Sequence, residues 1–223
     1  MSSTPGQWPS RSRRRRALGA LAGGVILLML SAAARGECAC LWQGSFADVQ
    51  GDTDLVVAGE VHAIKGNALD LRVVDELRGR AYRDTIRIWL QTRDYCRPPI
   101  DDFPVGSRWV MALDKIRRVP ADGFDPGTPN QSYGRPDDYI LSNCGAYWLK
   151  YSGEAVTGNL IDAPRWAREV DMTPVLLTLL KAYLRGDADR QALQRASAKD
   201  PALDALRLDT RAFLRGDDAL DEP

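Results

Sequence analysis

The chain has 223 residues, 30 basic and 30 acidic, with one histidine and four cysteines. Six arginines and no acid precede Glu37, so residues 37 to 223 carry 24 basic against 30 acidic groups, a net charge of −6. No clustered Lys/Arg stripe remains there, which excludes the basic face that a nucleic-acid partner needs.

The first elements belong to export. Arg11 and Arg13 to Arg16 precede an apolar run, Ala17 to Leu30, and then the small-residue stretch "SAAARGE". Positive region, short apolar region and small-residue site, in that order, predict a cleaved signal peptide over residues 1–36, cut before Arg35 or Glu37. The run "SRRRRAL" also resembles a twin-arginine export signal. The apolar run is short for a membrane span, which takes ~20 residues, so membrane attachment is expected only if the signal stays uncleaved. Arg35-Gly36-Glu37 is charged where a lipidation motif would be small and apolar. The expected location is the periplasm or the exterior, where thiols oxidise.

Strand signals fill the next part. Leu55 to Ile64 is apolar and β-branched, Lys65 to Asn67 reads as a turn, and Leu69, Leu71 and Val73 then alternate with polar residues. A turn at Arg78 to Arg80 leads to Asp84–Leu90, with Ile86, Ile88 and Leu90 inward and Trp89 outward. Phe103 to Leu113 is a turn feeding another strand. Residues 115–137 lose periodicity and are rich in Pro, Gly and Asp, as a loop is. Strands resume at Tyr139–Ser142, Ala146–Tyr151 and Glu154–Ile161. Short strands without intervening helices predict a small antiparallel barrel or sandwich over residues 37–162.

Residues 163–223 are predicted to be a helical extension. Thr173-Pro174 reads as a helix start, followed by Leu176, Leu179, Leu180, Tyr183 and Leu184 at helical spacing and an Arg185-Gly186 stop. Asp200-Pro201 starts another, with Leu203, Leu206, Phe213 and Leu214, stopped by Arg215-Gly216. The "AYLRGD" and "AFLRGD" echoes contain Arg-Gly-Asp, better read as helix ends than as adhesion motifs.

Catalytic chemistry is poorly supplied. His62 is the one histidine, so a His-rich zinc site cannot be assembled. Asp101-Asp102, Asp137-Asp138 and Asp217-Asp218 lie in turn-like stretches, and no phosphate-cradling or nucleophile-elbow motif is present. No catalytic residue, metal or cofactor is expected. Cys38, Cys40, Cys96 and Cys144 are the informative residues. Positions i and i+2 of an extended chain face the same way, so Cys38 and Cys40 reach two separate partners, Cys96 and Cys144, in one of two orders. Either order closes loops of roughly 60 and 100 residues, worth about 4 to 5 kcal/mol each in the chain-entropy model. The rival readings are a Cys-x-Cys thiol oxidoreductase and a structural envelope protein held by an uncleaved N-terminal helix.

"CAC" directly after a signal, "LVVAGEV" at Leu55–Val61, "VGSRWVMAL" at Val105–Leu113 and "NCG" before a tryptophan resemble the netrin-like module. The nearest pattern is the N-terminal domain of tissue inhibitors of metalloproteinases and its bacterial relatives, over residues 38–161. The resemblance implies a mainly β fold, an OB-like five-stranded antiparallel barrel with flanking C-terminal α-helices. It further implies the disulfides Cys38–Cys96 and Cys40–Cys144. In the inhibitors the first cysteine's amine and carbonyl chelate the protease's zinc and the next residue fills a specificity pocket; those roles would fall on Cys38 and Ala39. Both cleavage sites leave Glu37 in front of Cys38, which acylates that amine, and the inhibitors' third disulfide has no counterpart. The expected function is that of an exported, disulfide-stapled binding protein with a protein partner, a protease being one class.

Overall fold

The computed structural model describes residues 38–202 except 94, 125, 129, 163 and 165–169, together with 205, 206 and 208. The signal-peptide reading and the second Arg-Gly-Asp echo lie outside the described residues.

Past the cysteine segment, Ser45 opens a single helical turn, α1 (Phe46–Val49), extended by a 3-10 turn over Gln50–Asp52. Asp48 accepts hydrogen bonds from the Ser45 amide and hydroxyl at 2.9 and 2.5 Å, the serine–acid spacing that marks a helix start. Strands follow: β1 (Leu55–Lys65), β2 (Ala68–Arg78), β3 (Thr85–Trp89), β4 (Arg108–Lys115), β5 (Tyr139–Ile140), β6 (Trp148–Ser152), β7 (Ala155–Thr157) and β8 (Val175–Leu176). Among the described residues two helices follow, α2 (Leu177–Arg185) and α3 (Arg190–Ser197), and residues 201, 202, 205, 206 and 208 are helical as well.

β1 pairs with β2 on one side and β4 on the other, and the order β1-β2-β3-β5-β4 returns to β1. The fold is therefore mainly β, a closed five-strand barrel with short C-terminal helices. It is mixed rather than antiparallel throughout: β5 runs parallel to β3, with Ile88 opposite Tyr139. The reason is parity. Going round a closed ring, strand direction can alternate without a break only if the number of strands is even, so five strands require one parallel neighbour. β6, β7 and β8 continue outward from β4 as an antiparallel extension.

Three register shifts in the β1–β2 ladder bend β1 enough to serve both neighbours. Gly59 lies in the bent stretch. A Cβ there would sit 2.7 Å from the Arg72 carbonyl oxygen, so only glycine lets the strands approach. Leu69 and Leu71 of β2, Ile88 of β3, and Met111 and Leu113 of β4 are fully buried inside the barrel. Phe103 fills one end, edge-on to Trp109 and Trp148 at 5.2 and 5.6 Å.

Trp89 does not face solvent as expected. It is 7% exposed and packs with Ala68 and Ile116, with Val119 and Tyr133 alongside. Its indole donates to Asp138 at 2.8 Å. From the aperiodic residues 115–137, Ile116, Val119 and Tyr133 cover Trp89 at the end of β3. Buried Asn67 pins them: its side chain donates to the Leu90 and Ser132 carbonyls at 3.0 and 2.9 Å and accepts from the Ser132 amide at 2.9 Å.

The C-terminal elements also differ from expectation. Thr173-Pro174 does not begin α2. Val175–Leu176 first adds a short strand to β7, and the helix starts after it. Thr173 instead bonds to the end of α3, its amide and hydroxyl donating to the Ser197 and Ala198 carbonyls at 3.2 and 2.7 Å. Gly186, at φ +84°, ends α2 in the left-handed conformation that glycine favours. Among the described residues no helix is long and apolar enough to cross a membrane.

Candidate binding site

The residues singled out by the sequence meet at the start of the described chain. Cys38 is bonded to Cys96, with Cα atoms 5.1 Å apart, and Cys40 to Cys144, with Cα atoms 5.7 Å apart. No free cysteine is found among the described residues. Two such bonds persist in an oxidising compartment, periplasmic or extracellular, and mark a disulfide-bonded protein of that kind.

Backbone contacts seat the segment independently of the sulfurs. The Gln43 amide donates to the Cys144 carbonyl at 2.8 Å, and the Ala146 amide donates to the Gly44 carbonyl at 3.0 Å. The Tyr147 hydroxyl donates to Gln43 Oε1 at 2.5 Å. Asn143 donates its amide to the Cys96 carbonyl at 2.9 Å, tying the two partner cysteines' loops together. The extended backbone then alternates: Cys38 and Cys40 turn to the barrel, while Ala39 and Leu41 are exposed. Leu41 is 89% exposed, beside Trp42, which packs on the core. Of the two residues that the inhibitor pattern assigns to binding, Ala39 is therefore open to a partner and Cys38 is half-buried. Leu41 was missed by sequence reasoning, although the alternation that separates Cys38 from Ala39 extends to it.

Elsewhere the charged groups are mostly answered. A cleft of about 790 Å³ beside β3 and the residue 135–139 stretch is lined by Arg83, Arg135 and two ion pairs. In it Arg87 grips Asp70 with two hydrogen bonds, 2.7 and 2.9 Å, and Lys115 pairs with Asp137 at 2.9 Å. The Asp70 hydrogen bond and charge raise the Arg87 pKa. The carboxylates there are thus engaged: Asp70 and Asp137 in ion pairs, Asp138 by the Trp89 indole. His62 stands exposed on β1.

One cation is different. Arg97, next to Cys96, is 5% exposed, and burial lowers its pKa. Its guanidinium lies 4.1 Å over the Tyr133 ring and donates to the Tyr133 carbonyl at 2.6 Å. Its second terminal nitrogen, Nη2, has no hydrogen-bond partner among the described residues. Cation–π contact and one carbonyl replace the carboxylate that a buried arginine normally finds.

No family model matches the chain, and no curated protein or solved structure matches it.

Proposed function

We infer that this is an exported binding protein built on a netrin-like, OB-type barrel, with residues 37–162 as the barrel domain and 163–223 as a helical extension. The strand order and the single parallel β3–β5 pair support the OB-type reading. The observation that carries the functional reading is the double-stapled segment. Two disulfides hold Cys38 and Cys40, and between and beyond them Ala39 and Leu41 are offered to solvent. A leucine held 89% exposed on a doubly anchored backbone has lost most of its ordering entropy before any partner arrives. Burying it would contribute about 1.5–3 kcal/mol. The partner is a protein, and a protease-inhibitor-like mode is the specific form that the segment suggests. The engaged carboxylates and the bonded cysteines favour this over thiol or acid–base catalysis.

Site-specific photocrosslinking tests it. A benzophenone side chain placed at position 39 or 41 of the exported protein should capture one envelope or extracellular protein. The same group at exposed position 62 should not. Equal capture from all three positions, or capture from position 62 alone, contradicts the reading.

A further inference from the structure

Four sulfur atoms share one small volume. The Sγ atoms of Cys38, Cys40, Cys96 and Cys144 all lie within 4.8 Å of one another, partly buried. Cys38 Sγ and Cys40 Sγ, which are not bonded to each other, are 3.7 Å apart. A Zn–S bond of ~2.3 Å in tetrahedral geometry sets a sulfur–sulfur edge of roughly 3.8 Å. The unbonded pair is already at that edge. Each bonded pair would have to open from ~2.05 Å by roughly 1.7 Å, a change that small side-chain rotations on both residues supply.

The cluster does not rely on its covalent bonds to stay together. The backbone hydrogen bonds from Gln43 to Cys144, Ala146 to Gly44 and Asn143 to Cys96 hold the three cysteine-bearing stretches against one another. Cys38 follows from Cys40, two residues away on the same extended face. α1 adds further attachment, since the Phe46 and Ala47 amides donate to the Asn159 and Leu160 carbonyls, both at 2.9 Å. These contacts would keep the four thiols in one small volume after reduction, with each former pair moved apart to non-bonded distance.

We propose that in its reduced form the chain carries a four-thiolate site for a soft, tetrahedral divalent cation, zinc by ligand chemistry, formed by Cys38, Cys40, Cys96 and Cys144. The cation does the work of the two staples until they form. The ligand set is all sulfur, which selects zinc-like ions over hard oxygen-seeking ones. Four thiols give up four protons as one M²⁺ binds, leaving a site of net charge −2. A newly made chain meets the site with all four thiols reduced, so no reductant is needed in that setting. For the oxidised protein, a trialkylphosphine opens each disulfide, one phosphine and one water yielding two thiols and one phosphine oxide.

The test uses the purified protein, phosphine-reduced without oxygen, with Co²⁺ as the spectroscopic probe. The expected result is one Co²⁺ per chain, with the visible bands of tetrahedral cobalt and a thiolate charge-transfer band, displaced by one equivalent of Zn²⁺. The oxidised protein should give neither band. Cys144→Ser should weaken binding by more than the ~10–100-fold typical of losing an outer-shell partner. Near-ultraviolet circular dichroism of the reduced wild-type chain reads the fold independently of any variant. Octahedral or absent cobalt spectra, one metal shared between two chains, equal affinity in Cys144→Ser, or binding only after the dichroism is lost would each overturn the proposal.

Discussion

Asp114 sits on β4 with a carboxyl that burial, and then the nearby Asp54 charge, push above the ordinary aspartate value of 3.8. A folded-state pKa above the unfolded one means that folding favours the protonated form. The associated stability is fully present below the unfolded value and is lost as pH rises through the folded one. At neutral pH the ionised carboxylate is a cost. Asp114→Asn should raise the melting temperature at pH 7 and leave it nearly unchanged at pH 3.5, as differential scanning calorimetry at both values would show. A fall at pH 7, or equal shifts at both, contradicts the sign. Sequence alone gives no sign of this, because the apolar run read as a strand ends at Leu113 and an acid just after such a run is ordinarily solvated. The cysteines were more legible. Alternation along an extended chain separates Cys38 and Cys40 from Ala39, and the structure shows that separation. Their partners were not legible from spacing, because two residues on one face are equally placed for either.

Residues 115–137 show what periodicity misses at the level of elements. Their Pro, Gly and Asp content reads correctly as loop, yet composition says nothing of where a loop lies. Ile116, Val119 and Tyr133 of this loop cover Trp89, and so a residue at an outward position of an alternating strand is buried. Asn67 makes this covering specific, with three hydrogen bonds to backbone groups of Leu90 and Ser132. Asn67→Ala removes the partner of the buried Leu90 carbonyl and of the half-buried Ser132 amide and carbonyl, at about 1–3 kcal/mol for a buried group and less where water can enter. The expected outcome is a loss of about 2–3 kcal/mol in denaturant unfolding and faster limited proteolysis within residues 115–137. Unchanged proteolysis would mean that the loop is held by something other than Asn67. α3 escaped sequence reading for another reason: its buried apolar content is Leu193 alone, in a stretch of Arg, Gln and Ala. Its start was nevertheless marked, since the Asp189 carboxylate accepts from the Ala192 amide at 2.8 Å. At α2 the opposite happened. A sound helix-start signal, Thr173-Pro174, was overridden when Val175–Leu176 found a sheet edge to join, as tertiary pairing can do to local preference.

At the scale of the molecule, alternating strands predicted a barrel or a sandwich without deciding between them. The parallel β3–β5 contact joins strands separated by the whole of β4 and the covering loop, a pairing that no local pattern announces. The two disulfides act at the same scale. They close loops of 58 and 104 residues and tie the first described residues to two distant loops of the barrel. On this account the N-terminal segment is a fixed, solvent-facing binding edge. Its central claim rests on which sulfur is joined to which in the exported protein. Non-reducing peptide mapping by mass spectrometry settles that directly. Cys38 and Cys40 fall in one tryptic peptide, so fragmentation at Ala39 must assign each bond. The account predicts Cys38–Cys96 and Cys40–Cys144 with no alkylatable thiol; a Cys38–Cys40 bond, or free thiols at both positions in exported material, would contradict it.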